Sequence, residues 1–186
     1  MALRIVQFGD PILRKKGKPV TIFDAALHQL AHDMVETMQE AEGIGLAAQQ
    51  IGLALQFCVI DLRESEARFT YRLDGGNPPL DLIMPMVLAN PEVEVVPEPT
   101  TVYEEGCLSF PGIRGDIVRP DGIRVRFQDT DGQAHEMTCD GLLARCIQHE
   151  VDHLNGVLFI DRMAKSVLAP LEDPLRALKK ATRARR

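Results

Sequence analysis

Residues 141–154 constrain the fold more than any other stretch. Leu142, Cys146, His149 and His153 recur at spacings of four, three and four, which puts them on one face of a helix. The first half of that stripe is apolar, so the helix is expected to face a core. The second half carries two imidazoles, with Glu150 beside the first. Such groups are costly to bury without partners. A divalent metal supplies one, because His149-Glu150-Val151-Asp152-His153 sets two imidazoles a turn apart and a carboxylate able to take a proton from water. Asn155-Gly156 marks the helix end.

A catalytic metal site needs a third protein ligand and an open position for water. Downstream, Asp161, Glu172 and Asp173 are candidates, although Asp161 also reads as a turn residue. Upstream, Glu105-Gly106-Cys107-Leu108-Ser109 offers a soft thiolate beside a glycine that allows close approach. Cys146 could face the same pocket, but a third ligand from the same helix leaves cramped geometry. Cys58 and Cys139 read as small buried hydrophobes, and the absence of any CxxC pairing argues against a disulfide framework. A further patch, Gly43-Ile44-Gly45-Leu46-Ala47-Ala48-Gln49-Gln50, lacks the glycine spacing and the Lys-Ser/Thr of a phosphate loop. Its small residues suggest close packing against another backbone or an extended ligand, and Gln50 offers an amide donor to a developing oxyanion. Taken alone, the patch reads as a connector.

Elsewhere the pattern is mixed. Asp24 is placed to cap a helix running to about Glu42, with Leu27, Leu30, Ala31, Met34 and Met38 on one face and Gly43 as its stop. Gln56 to Asp61 reads as a buried strand. Arg63 to Pro79 reads as an exposed loop around Asp74-Gly75-Gly76. Val87 to Ala89 and Val93 to Val96 look like strand pieces broken by Asn90-Pro91. Residues 122–139 form a hairpin turning at Asp131-Gly132. A last helix follows Pro170, with Leu171, Leu175 and Leu178 on one side. The expected fold is α+β: antiparallel or mixed sheets packed around the central metal-binding helix, with helices before and after the strands. The whole chain, 1–186, is expected to form one domain, with residues from about 165 as a C-terminal helix and basic tail.

A net charge of −6 argues against a chain wrapped in nucleic acid, and no sequence-specific nucleic acid is expected as a partner. The last eleven residues, however, carry Arg176, Lys179, Lys180, Arg183, Arg185 and Arg186 and no acid. They read as a solvated helix end or as a contact to a polyanion such as RNA. No apolar run is long enough for a membrane span, and residues 1–18 lack a secretory signal pattern, so a cytoplasmic protein is expected.

Together and in this order, the three patches resemble the signature motifs of the peptide deformylases: Gly-x-Gly-x-Ala-Ala-x-Gln at Gly43 to Gln50, Glu-Gly-Cys-x-Ser at Glu105 to Ser109, and His-Glu-x-x-Asp-His at His149 to His153. The opening Ile5 to Arg14 is also similar to the family's N-terminus. The resemblance implies hydrolysis of the N-formyl group from the initiator methionine of nascent polypeptides, with release of formate. It implies that Cys107, His149 and His153 bind one divalent metal: Fe2+ in cells, with Zn2+, Ni2+ or Co2+ as substitutes. Glu150 would be general base and then general acid, and Gln50 with the Leu108 backbone N–H would stabilise the oxyanion. The resemblance and the helix stripe point to Ile44, Leu142 and Cys146 as walls of a methionine slot. Gly45, Gly106 and Arg114 would contact the peptide backbone. The basic tail suits an enzyme working at the ribosome.

The chain departs from the compact family pattern at residues 63–85, which are longer than usual and are expected to form an extended hairpin. Two rival readings accompany the resemblance. One is a zinc endopeptidase of the HExxH type, which requires a downstream ligand. The other is a deformylase-like paralogue that binds metal or peptide without turnover.

Overall fold

The computed structural model describes residues 3–185, so Met1, Ala2 and the tail's last residue, Arg186, lie outside it. Asp24 caps α1 (Ala25–Glu40) by accepting from the amides of Ala26 and Leu27 at 3.0 and 3.1 Å. Leu27, Ala31, Met34 and Met38 are buried along it, as the spacing predicts. The chain then enters β1 (Gly45–Ala47), and a short 3-10 turn carries Gln50 before β2 (Phe57–Ile60).

Residues 63–85 are not a loop or a simple long hairpin. They form a strap made of β3 (Tyr71–Leu73) and the short α2 (Leu80–Ile83). β3 pairs with a strand far along the sequence rather than with a neighbour, because Tyr71 and Leu73 find apolar partners there. That partner is β6 (Ala134–Cys139), with Tyr71 opposite Cys139 and Leu73 opposite Met137.

The strand pieces expected on either side of Asn90-Pro91 are one strand, β4 (Met86–Gly106), whose register shifts between Ala89 and Glu92. A bulge there accommodates the proline, which has no N–H to give to a ladder. Asn90 replaces the missing bonds with its side chain, accepting from Val20 N–H at 2.8 Å and donating to Val20 O at 2.9 Å. β5 (Arg114–Gln128) starts eight residues before the expected hairpin and runs antiparallel to both β4 and β6. Among the described residues the sheet has six strands in the order β1-β2-β4-β5-β6-β3, and every ladder between them is antiparallel.

The metal-motif helix is α3 (Gly141–Leu154). It is buried on nearly every side rather than along one stripe. Leu143, Ala144 and Ile147 are fully buried against the sheet, whereas Leu142 is only partly covered. The carbonyl of Leu154 fixes its C-terminal end by accepting from Gly17 N–H at 2.8 Å and Gln56 Nε2 at 2.9 Å. Beyond it, α4 (Lys165–Leu168) and α5 (Glu172–Ala184) fold back, and Leu175 of α5 packs with Leu13, Phe110 and Phe159 in a separate cluster. Arg176, Lys179, Lys180 and Arg183 follow on the same helix, and Arg185 caps its end. Lys179 Nζ lies 6.0 Å from the Phe8 ring centroid, and Arg176 pairs with Asp173 at 3.4 Å. Among the described residues, no helix is long and apolar enough to cross a membrane.

Candidate active site

Three segments distant in sequence meet on α3. β4 ends at Gly106, and the tight turn after it sets Cys107 against the helix. Cys107 Sγ lies 3.3 Å from His153 Nε2. The ligand atoms of Cys107, His149 and His153 all fall within 4.8 Å of one another. His149 Nδ1 faces Glu105 Oε2 at 3.0 Å, which leaves its other ring nitrogen for the site. This is the carboxylate–histidine arrangement that orients a metal-binding imidazole. A second group of possible donors, His32, Asp33 and Glu36, lies on α1, with His32 exposed and the two acids partly buried.

Gln50 reaches the site from the turn after β1. Its Oε1 accepts from Ala47 N–H at 2.8 Å, so its amide nitrogen points inward, 3.4 Å from Cys107 Sγ and 3.5 Å from Ser109 Oγ. The N-terminal arm ties these pieces together: Val6 N–H donates to Gln50 O at 2.8 Å and Phe8 N–H to Ser109 O at 2.9 Å. Gly43 packs on Leu108, where a β-carbon would come within 2.6 Å of Cδ1. Gly43 and Gly45 therefore pack chiefly against side chains rather than against another backbone. Gly45 faces Glu150 and Cys146, and Cys146 Sγ lies 3.5 Å from Ile44 O. Gly106 and Arg114 are cross-strand partners, with the Arg114 side chain over the glycine. Leu142 stands one turn before Cys146 on α3 and is only partly covered. Asp161 is engaged elsewhere. It pairs with Arg14 and accepts from Leu158 N–H at 2.8 Å, which makes it a turn residue. Glu172 and Asp173 are exposed in the first turn of α5.

Glu105 is a hub whose role the sequence left unassigned. It is buried, and it accepts from Arg119 Nε at 2.6 Å and Arg145 at 2.7 Å as well as facing His149. Arg119 passes the network on to Asp152 at 2.8 Å, and Asp152 bonds Arg162 at 2.6 Å. The signal was present in the alternation of β5. Gly115, Ile117 and Arg119 share one buried phase, so an arginine falls where an apolar side chain is expected. A cation there requires buried acidic partners.

The electrostatics fit a cation. Burial pushes against ionising His149, yet the Cys107 sulfur and the Glu105 carboxylate raise it to about 10. Burial alone would raise Glu105, but hydrogen bonds with His149 and Arg119 hold it well below the usual carboxylate range. Burial, reinforced by charge on His149 and Arg119, drives His153 well below the ordinary histidine value. His153 is thereby kept neutral, the form in which an imidazole binds metal. Its Nδ1 is buried without a partner, a cost of roughly 1–3 kcal/mol that a metal bond at Nε2 would offset. Glu150 Oε2 is also buried and unpartnered, and burial lifts this carboxyl to about 7. A thiol, two imidazoles and an unpaired carboxylate form a donor set that fits a divalent metal with an activated water.

Fold and site together define a metallohydrolase built on an antiparallel sheet around one buried helix. The family model described as polypeptide deformylase matches residues 2–168. The chain is 63% identical over 186 residues to the peptide deformylase of Opitutus terrae, covering 99% of this chain and 96% of that one. Among solved structures, peptide deformylase 1B of Arabidopsis thaliana superposes with a TM-score of 0.84 at 37% identity, covering 98% of this chain and 93% of that one. The peptide deformylase of Thermotoga maritima superposes at 0.76 with 42% identity, covering 88% and 99%. The chain belongs to the peptide deformylase family, whose members are metal-dependent enzymes.

Proposed function

We propose that this chain removes the N-formyl group from the N-terminal methionine of nascent polypeptides and releases formate. The observation that carries this reading is the buried, unpartnered Glu150 carboxylate beside the cluster of Cys107, His149 and His153. Those three residues would hold the metal through Cys107 Sγ, His153 Nε2 and the ring nitrogen of His149 that faces away from Glu105. When bound, a divalent ion there lowers the pKa of a water and polarises the formyl carbonyl.

Glu150 takes the proton of the attacking water and returns it to the leaving amine nitrogen. A carboxyl lifted to about 7 suits both transfers near neutral pH. Gln50 Nε2, oriented by the Ala47 bond, and the Leu108 N–H donate to the developing oxyanion. One such donor is worth about 3–4 kcal/mol in the transition state. Ile44, Leu142 and Cys146 line the methionine slot. Gly45, Gly106 and Arg114 contact the peptide, and β1 lies at the edge of the sheet, where an extended chain can add alongside it. A formyl carbon bears only hydrogen, so a close-packed site excludes larger acyl groups sterically.

Fe2+ is the ion proposed in cells, with Zn2+, Ni2+ and Co2+ able to replace it, since thiolate and imidazole donors accept each of them. Residues 1–186 act as one catalytic domain in the cytoplasm, and the basic helix from Arg176 onward offers the ribosome a cationic surface. The endopeptidase reading is not favoured, because Asp161 is held by Arg14 and Glu172 and Asp173 lie exposed in the first turn of α5.

Formate release from formyl-Met-Ala-Ser by anaerobically prepared protein, compared with Glu150→Ala, tests the reading. Wild type is expected to turn over and Glu150→Ala to bind metal but release no formate. A fully metallated wild type without turnover rejects it.

A further inference from the structure

The strap between β2 and β4 lies across the first turn of α3. Asp140 occupies the helix N-cap position in extended conformation, with φ −131° and ψ −175°. An aspartate there ordinarily accepts from amides of the first turn. The Asp140 carboxylate makes no such bond. It accepts instead from Thr70 N–H at 2.5 Å and from Thr70 Oγ1 at 2.6 Å, while the Asp140 N–H donates to Thr70 O at 3.1 Å. The next residue, Gly141, has φ 56°, and a β-carbon on it would lie 2.8 Å from Arg68 O. Behind this contact, Phe69, Tyr71, Leu80 and Ile83 pack on the core that contains Leu143 and Cys146.

The helix is thus anchored at two ends by different means. At its C-terminal end, Leu154 O is held by Gly17 and Gln56, and His149 is held by Glu105. At its N-terminal end, the strap is held through Asp140. Leu142 and Cys146 stand on the first two turns, next to that second anchor. Cys146 Sγ is already 3.5 Å from Ile44 O, and a β-carbon on Gly45 would reach it at 3.0 Å. A small shift of the first two turns therefore changes the space between Cys146, Ile44 and Gly45.

We propose that Asp140 is a positioning residue for the methionine slot: by gripping Thr70 it sets how close Cys146 stands to Ile44 and Gly45. The proposal rests on the deformylase reading above. It assigns the strap a part in choosing the substrate side chain, with the chemistry left to residues anchored elsewhere.

The test is steady-state kinetics of metal-loaded wild type, Asp140→Ala, Asp140→Asn and Thr70→Val on formyl-Met-Ala-Ser and formyl-Ala-Ala-Ser. Asp140→Ala is expected to raise KM for the methionine peptide about tenfold, with kcat within about twofold and KM for the alanine peptide unchanged. Asp140→Asn, which can still accept from the Thr70 N–H, is expected to restore the wild-type preference, and Thr70→Val to fall between them. Retention of the wild-type methionine preference by Asp140→Ala, or a loss of kcat shared equally by both peptides, overturns the proposal. Should Asp140→Ala fail to fold, an unchanged preference in Thr70→Val overturns it and a reduced one supports it. If the metallated wild type releases no formate, the deformylase reading falls and this proposal with it. An active wild type with unaltered preference in the variants sinks the proposal alone.

Discussion

Gly45 and the Glu150 carboxylate share a space that leaves no room for a β-carbon: one built on Gly45 would overlap Glu150 Oε1 and lie 3.0 Å from Cys146 Sγ. A glycine on the edge strand thus admits the Glu150 carboxylate carried by the helix. Gly45 does not adopt a positive φ, so alanine there strains no backbone and acts by displacing the Glu150 carboxylate and pressing on Cys146. Gly45→Ala is therefore expected to fold and bind metal normally while kcat drops by about 100-fold, the scale of losing a positioned proton carrier. Formate assays together with metal analysis check this. Wild-type kcat in that variant would show that the orientation of Glu150 is unimportant.

Glu105 joins His149 to Arg119 and Arg145 inside the protein. Removing its carboxylate leaves two buried guanidinium groups short of a partner, and breaking such an arrangement costs about 3–5 kcal/mol. Glu105→Ala should lower stability on that scale in urea melts. It should also weaken metal binding by roughly 10–100-fold, because His149 loses its orienting bond. Arg162→Ala, at the half-exposed end of the network, should cost no more than about 1 kcal/mol. Equal losses in the two variants would contradict the hub.

Four free thiols compete for any soft metal or thiol reagent, and three are buried. Burial raises Cys58 and Cys146 well above the ordinary thiol range and Cys139 to about 12, which suppresses their thiolates. Chelated protein should therefore show one fast-reacting thiol, Cys107, that metal protects. Cys107→Ala should lose both the fast thiol and the metal. Metal stoichiometry unchanged in Cys107→Ala would return the third ligand to another residue.

His135 stands between two carboxylates, with Nδ1 2.7 Å from Asp74 and Nε2 3.2 Å from Asp129. Partial burial opposes its charge, but hydrogen bonds to Asp74 and Asp129 prevail and raise it above 6.5. A histidine with a raised folded-state pKa stabilises fully below its unfolded value and loses that contribution as pH rises through the folded value. The Tm advantage of wild type over His135→Phe should be largest near pH 5.5 and should shrink above pH 7. An advantage that grows with pH would reverse the assignment.

Much of the site was legible because its chemistry is written in local spacing. His149, Glu150 and His153 follow from helical periodicity, Asp24 from capping, and the Asp131-Gly132 turn from hairpin chemistry, with Gly132 at φ 80°. The strap is not legible in the sequence because β3 is only three residues long and takes its partner, β6, from about sixty residues away. No local pattern reports such a pairing. β4 was read as broken because Asn90-Pro91 is a strong break signal, which side-chain hydrogen bonds to Val20 override.

What the sequence by itself determined is the kind of chemistry: two imidazoles and a carboxylate on one buried helix, a cysteine beside a glycine, an amide after a run of small residues. Each is a local statement about rotation, charge and size. Only the tertiary structure decided which of these groups meet. It brought Cys107 to His153 and held Asp161 with Arg14, and it made Arg119 and Glu105 partners across adjacent strands. It also gave Asp140 to Thr70 instead of to its own helix. The physical reason is that a ligand set or a buried ion pair depends on distances of a few ångströms between residues far apart in the chain. Those distances are set by long-range antiparallel pairing around one buried helix.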